Sequence, residues 1–109
     1  MKKAMLSQPM AGLTDEQIVE TRNRAIGVLQ EKGFEIVNTF FTDEWYNKES
    51  LEQRGVVQIP LCFLAKSIDN MSKCHAVYFC EGWENTRGCK IEHEIAVAYG
   101  LEIIYECED

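Results

Sequence analysis

Apolar residues in this chain alternate between short unbroken runs and stretches where they recur every three or four positions. The first run, Ala4-Met5-Leu6, predicts a short buried strand. A helix start follows it. Thr14 is placed to cap, Gln17 stands three residues on as its reciprocal partner, and Leu13 and Ile18 can staple the entry. Ile18, Arg22, Ala25, Ile26 and Leu29 then share one helical face, and Gly33 supplies the stop. Phe34 to Val37 predict a second strand, rich in residue types that strands favour. A second helix begins near Pro60, a good first-turn residue, with Leu61, Leu64, Ile68 and Met71 at helical intervals. Ala76 to Cys80 form the clearest strand of the chain. A third helix runs from about Gly88 to Tyr99 with Ile91, Ile95 and Ala98 as its core face; Gly100 ends it, and Leu101 to Tyr105 make a fourth strand. Residues 39–57 have no clean period. Phe40, Phe41, Trp45 and Tyr46 stand there among polar residues and suit a wall of a ligand pocket, structural packing or a dimer surface, the last two favoured.

Strands alternating with helices favour a parallel sheet, because each return crossover is right-handed and must cover the sheet. Near-continuous apolar strands fit burial on both sides. The expected fold is therefore α/β: a small flavodoxin- or Rossmann-like parallel sheet of about four strands in the order 2-1-3-4, with helices on both faces. One domain spans 1–109. In that order the switch point lies between strands one and three, which sets the loops Ser7–Leu13 and Glu81–Gly88 beside one crevice.

Composition narrows the function classes. The chain has 109 residues, of which 46% are apolar and only two are proline, so it can bury a core and is not a disordered segment. Eleven basic residues stand against eighteen acidic ones, a net charge of −7 that disfavours coating DNA or RNA but leaves room for a small nucleotide. No stretch approaches the roughly 20 apolar residues that span a bilayer, and the N-terminal apolar run is too short for a signal peptide. A cytoplasmic location with reduced thiols is expected. The five cysteines, odd in number and without a CxxC pair, fit no disulfide framework.

Three pieces meet at the expected crevice: the turn Ser7-Gln8-Pro9-Met10-Ala11-Gly12, the loop Glu81 to Gly88, and the opening of the third helix. Free N–H groups and the dipole favour an anion at a helix start, and Gly12 and Gly88 allow close backbone approach. Glu92 shares a helical stripe with Gly88 and Ala96. Two readings of it stand on spacing alone: a solvated surface glutamate, or a carboxylate turned into the crevice. Trp83 either stacks on a ligand or packs the loop down. Cys89 and His93 lie one turn apart, and Cys74, His75 and Cys80 surround the third strand, but the spacing lacks the rhythm of a zinc site, so no metal is expected. Cys89 gains from a helix N-terminus as a nucleophile yet has no evident base. Arg22 and Arg24 are expected to pair with acidic neighbours, and Glu102, Glu106, Glu108 and Asp109 to form a solvated acidic terminus.

Gly82-Trp83-Glu84-Asn85-Thr86-Arg87-Gly88-Cys89-Lys90-Ile91-Glu92 resembles the Gly-Trp…Ser-x-Gly-Ala-x-x-Glu signature of proteins related to nucleoside 2-deoxyribosyltransferases. Ser7 to Gly12 is similar to that group's Ser-Gly-Pro-Met-x-Gly first loop, and the likeness spans nearly the whole chain. The resemblance implies that Glu92 is a nucleophile. It would attack the anomeric carbon of a deoxynucleoside or its monophosphate, expel the base, and leave a glycosyl-enzyme for water or another base to resolve. It places Thr86 and Gly88 at the 5′ end of the sugar or its phosphate, and Ser7, Pro9, Met10, Gly12 and Trp83 around the rest of the substrate. It also implies a homodimer and no cofactor.

Some positions depart from the family pattern. An assisting aspartate of the transferases would fall at Ser67, with Asp69 two residues off; His75 replaces an aspartate, and Gln8 stands where the first loop has glycine. The chain also ends at Asp109, where family enzymes continue and lend a residue to the neighbouring subunit. These departures keep a second reading open: a non-catalytic module that binds or sequesters a nucleotide-like ligand.

Overall fold

The computed structural model describes residues 1–10, 12–37 and 47–106. The aromatic residues Phe40, Phe41, Trp45 and Tyr46, together with Glu108 and Asp109, lie outside that set. The elements run β1 (Lys3–Ser7), α1 (Asp15–Glu31), β2 (Glu35–Ile36), α2 (Lys48–Gln53), α3 (Ile59–Met71), β3 (Ala76–Phe79), a 3-10 turn (Trp83–Asn85), α4 (Arg87–Ala98) and β4 (Glu102–Tyr105).

All four strands are parallel, in the order β2-β1-β3-β4. The α/β fold and strand order therefore match the expectation from alternation and crossover handedness. Register places Ala4 opposite Ala76 and Ser7 opposite Phe79, so the last residue of β1 and the last of β3 stand side by side. Both faces of the sheet are covered. Ala4, Leu6, Ala76, Tyr78 and Ile104 pack with Ala25 and Leu29 of α1, while Met5, Val77 and Phe79 pack on the other face with Met71 of α3 and Ala96 of α4. Burial on both sides is why the strands are apolar without alternation.

The start of α1 follows its local chemistry. Thr14 accepts from the Gln17 N–H at 3.1 Å, and Gln17 Oε1 accepts from the Thr14 N–H at 3.0 Å, closing a reciprocal cap. Thr14→Ala is expected to cost about 1 kcal/mol, read as a lower urea midpoint at unchanged slope.

Helix faces depart from the sequence expectation in two places. On α3, Met71 is buried and Leu64 half-buried, but Leu61 and Ile68 are exposed. On α4, the buried residues are Cys89, Glu92 and Ala96; Ile91 and Ile95 are only half-buried, and Ala98 is exposed. The short α2 interrupts the stretch that had no clean period, capped by Asn47 Oδ1 accepting from the Ser50 N–H at 2.8 Å and anchored by buried Leu51.

Arg24 pairs with Glu106 at 2.9 Å, as expected of a helix arginine. Glu106 is correspondingly not a free solvated acid: its other oxygen accepts the Glu81 N–H at 2.7 Å, so it ties α1 to the segment after β3. The pair is more than half exposed on the arginine side, so it contributes little stability.

Candidate functional site

The carboxyl ends of β1 and β3 are where the chain leaves the sheet for the first loop and for α4. The two loops adjoin: a side chain built on Gly82 would come within ordinary contact of Pro9 Cγ, at 3.7 Å. Gly82 itself has φ +89°, a left-handed conformation that glycine adopts without strain and that turns the backbone into the 3-10 turn.

From α4, Glu92 projects inward and is 7% exposed. Its Oε1 accepts a long hydrogen bond, 3.5 Å, from the hydroxyl of Ser7, which is itself buried. Burial penalises the charged carboxylate and pushes its pKa up to about 7, an effect that the Ser7 hydroxyl partly offsets. One turn earlier, Cys89 also faces Ser7; burial pushes its thiol up to about 11, opposed by the Ser7 hydroxyl and reinforced by Glu92. The benefit expected from the helix N-terminus is thus overridden by desolvation, and Cys89 is not an activated thiolate.

Glu92 lines a cavity of about 550 Å³. Its other walls are Gln58, Pro60, Leu61, Phe63, Leu64 and Ser67 from the start of α3, and Arg87, Gly88 and Ile91 from the start of α4. Two helix N-termini therefore converge on one hollow. Neither Gln58 nor Thr86, the residues before these helices, caps the first turn with its side chain. Partial positive charge at both helix starts and the Arg87 guanidinium favour a ligand carrying negative charge.

The residues singled out from sequence divide clearly. Glu92 and Gly88 line the cavity, and Ser7 stands behind Glu92. Thr86 donates from its hydroxyl to the Gly82 carbonyl at 3.5 Å. Pro9 lies against the 81–88 loop, Met10 is exposed, and Gly12 forms an exposed left-handed turn. Trp83 stacks on His93, with ring centroids 4.2 Å apart, in a cluster with Phe79 and Tyr105. His93 shares a hydrogen bond of 2.7 Å with the Tyr105 hydroxyl. Trp83 thus packs its loop onto the sheet.

Ser67, the position singled out from sequence on helix α3, lines the cavity. Asp69 does not: it is exposed and held by Lys73 and Lys66, which lowers its pKa through the Lys73 hydrogen bond first. His75 sits at the opposite end of the strands, its Nδ1 accepting the Lys3 N–H at 3.0 Å. Among the described residues no cluster could hold a metal ion, and Cys62, Cys74, Cys80 and Cys89 are free thiols. No helix among them is long and apolar enough to cross a membrane.

Sequence reasoning placed Arg87 in the crevice loop without giving it a role, and it missed Gln58 and Pro60 as cavity residues. Arg87 and Pro60 open helices that follow loops, and in parallel α/β folds such helix starts border the ligand crevice, so topology alone could have nominated them.

The family model DUF4406, a domain of unknown function, matches residues 2–105. The chain belongs to this family. No curated protein and no solved structure gives a match. The DUF4406 match covers every element from β1 to β4, including both helix starts at the cavity and the glutamate between them.

Proposed function

We propose that this DUF4406 domain is an N-glycosidase or deoxyribosyltransferase acting on deoxynucleosides or their monophosphates, with Glu92 as nucleophile. The observation that carries the reading is a buried carboxylate lining a nucleotide-sized hollow at the carboxyl end of a parallel sheet. The resemblance of the segment from Gly82 to Glu92, and of the first loop, to the deoxyribosyltransferase relatives supplies the reaction class.

In the proposed chemistry a Glu92 oxygen bonds to the anomeric carbon as the carbon–nitrogen bond breaks. The bonding pair leaves with the base, which takes up a proton from solvent. Water, or a second base, then displaces the carboxylate and regenerates it. Ser7 steadies the carboxylate from behind, and Arg87 and Gly88 at the start of α4 stand where a 5′-hydroxyl or 5′-phosphate would be held.

The active form of Glu92 is the ionised one. Its pKa of about 7 therefore predicts base release that climbs tenfold per pH unit below 7 and levels off above it. The test is incubation of the protein with a panel of deoxynucleosides and their monophosphates between pH 5.5 and 8.5, with free base measured by chromatography. Release of base with that pH profile supports the enzyme. One observation favours the second reading: Ser67 stands where an assisting acid would, and Glu92 is the one carboxylate among the described cavity residues. Saturable binding by calorimetry with no base released would replace the enzyme by a nucleotide-sequestering module.

A further inference from the structure

A second hollow lies at the amino ends of the strands, away from Glu92. Its volume is about 450 Å³, within the roughly 300–1,000 Å³ of small-molecule pockets. Ile68, Met71 and Ser72 border it from the end of α3, and Ile95 and Tyr99 from the end of α4. Cys74 and Leu101, which stand just before β3 and β4, complete the lining. The two helices whose starts border the Glu92 cavity thus border this hollow with their ends.

The two sites differ in chemistry. Arg87 and Glu92 bring charge to the first; no charged residue lines the second. Its polar groups are also already engaged. The Ser72 hydroxyl donates to the Asp69 carbonyl, and the Cys74 thiol donates to the Asn70 carbonyl at 3.2 Å. The carbonyls of Ile68, Asn70 and Met71 accept from the N–H groups of Ser72, Lys73 and Cys74. Those of Ile95, Ala96 and Val97 accept from Tyr99, Leu101 and Gly100. Burial pushes the Cys74 thiol up to about 11, so it stays neutral. A charged or hydrogen-bonding ligand would give up its water here without finding a partner.

We infer that this hollow is a second ligand site and that its ligand is an uncharged aromatic molecule of one or two rings. Three observations select that class. The engaged polar groups leave only shape and dispersion to recognise a ligand, which sets aside nucleosides and nucleotides and makes the site independent of the proposed reaction. Met71 and Cys74 contribute polarisable sulfur to the lining, and sulfur packs favourably against aromatic rings. Ile68 is 40% and Tyr99 82% exposed, so a flat apolar body between the two helix ends would remove their surface from water. A second copy of the chain fits less well. Next to Ile68, the ion pairs of Asp69 with Lys66 and Lys73 leave one surplus positive charge, which a copy would bring against itself across a twofold.

The test is titration of the intact chain with toluene up to its solubility limit, followed by nuclear magnetic resonance of the Ile, Leu and Met methyl groups. Benzoate and benzylammonium serve as the charged counterparts of the same ring. Toluene is expected to give saturable shifts at Ile68, Met71, Ile95 and Leu101. The charged counterparts are expected to bind at least about tenfold more weakly. Ile68→Trp, at an exposed position, is expected to fill the mouth and weaken toluene at least about tenfold, with an unchanged circular dichroism spectrum. Absence of a saturable shift overturns the inference, as do shifts centred on Leu64 and Ile91 of the Glu92 cavity. Equal binding of the charged counterparts, or unchanged affinity in Ile68→Trp, overturns it as well. So do methyl shifts that follow protein concentration in place of toluene, which would mean that another chain fills the hollow.

Discussion

Glu92→Gln is expected to abolish base release and, at the same time, to make the domain more stable in alkaline buffer. Loss of a nucleophilic carboxylate lowers turnover by at least about 10³-fold, since no other carboxylate stands among the described cavity residues to take its place. The stability change runs the other way. Folding raises the Glu92 pKa from its ordinary 4.5 to about 7, so the folded state keeps a proton that the unfolded chain releases. Stability from this group is present in acid, falls as pH rises from about 4.5 to about 7, and stays low above that. At ~1.4 kcal/mol per tenfold change in proton affinity, the ionised carboxylate destabilises the fold by about 3 kcal/mol at pH 8.5. Glutamine keeps the shape and cannot ionise. Its melting temperature at pH 8.5 is expected to exceed that of the unchanged protein by about 10 °C or more, and the two are expected to converge near pH 4.5. A variant that is inactive but no more stable would mean that Glu92 is solvated in the folded state. A variant that is more stable and fully active would leave Glu92 buried but remove it from the chemistry. Stability sacrificed at a functional position is a common signature of a site.

The features readable in the sequence were those set by local chemistry or by topology. Thr14 and Gln17 define a helix start because the cap is closed within three residues, and nothing distant competes with it. Strand order followed from the handedness of crossovers, which prunes the possible arrangements to very few. Strand order in turn placed Ser7 beside the segment after β3 and so brought Ser7 and Glu92 together.

What the sequence concealed was which apolar face the sheet would claim. Leu61 and Ile68 keep the same helical interval as Met71, yet they point away from the sheet. Periodicity reports that a face is apolar and is silent on what covers it. On α4 the error had a different origin. The buried stripe there is Cys89, Glu92 and Ala96, and a carboxylate in the middle of a stripe cancels its apolar signal. The visible period then shifted to Ile91, Ile95 and Ala98, one step round the helix. The spacing of Gly88, Glu92 and Ala96 pointed to the true face, and the disagreement between the two stripes was itself a mark of a buried ionisable group. Helix α2 escaped because six residues are too few to display a period, although Asn47 placed three residues before Ser50 carries the cap signal.

Phe79→Ala is expected to cost about 3–5 kcal/mol, much of the reserve of a domain this small. Phe79 is fully buried at the end of β3, opposite Ser7. Its ring lies 5.3 Å from that of Trp83, 5.0 Å from His93 and 6.2 Å from Tyr105, so it forms the floor on which the aromatic cluster rests. Removing the ring leaves a void under three aromatic groups whose backbones belong to three different elements, and such a hollow cannot collapse without moving them. The expected melting temperature falls by about 15 °C or more, and the urea midpoint falls with it. The local consequence is distinguishable from the global one. Trp83 stacks on His93 through this floor, so at low temperature, where the variant is still folded, its fluorescence, read in a Trp45→Phe background because the chain has two tryptophans, is expected to shift to longer wavelength as the indole meets water. Phe79→Leu keeps most of the volume and is expected to cost only about 1 kcal/mol, with Trp83 emission near that of the unchanged protein. A Phe79→Ala loss below about 1 kcal/mol with unshifted emission would mean that the turn before α4, and therefore the start of the helix carrying Glu92, is fixed by its own backbone instead of by the ring beneath it.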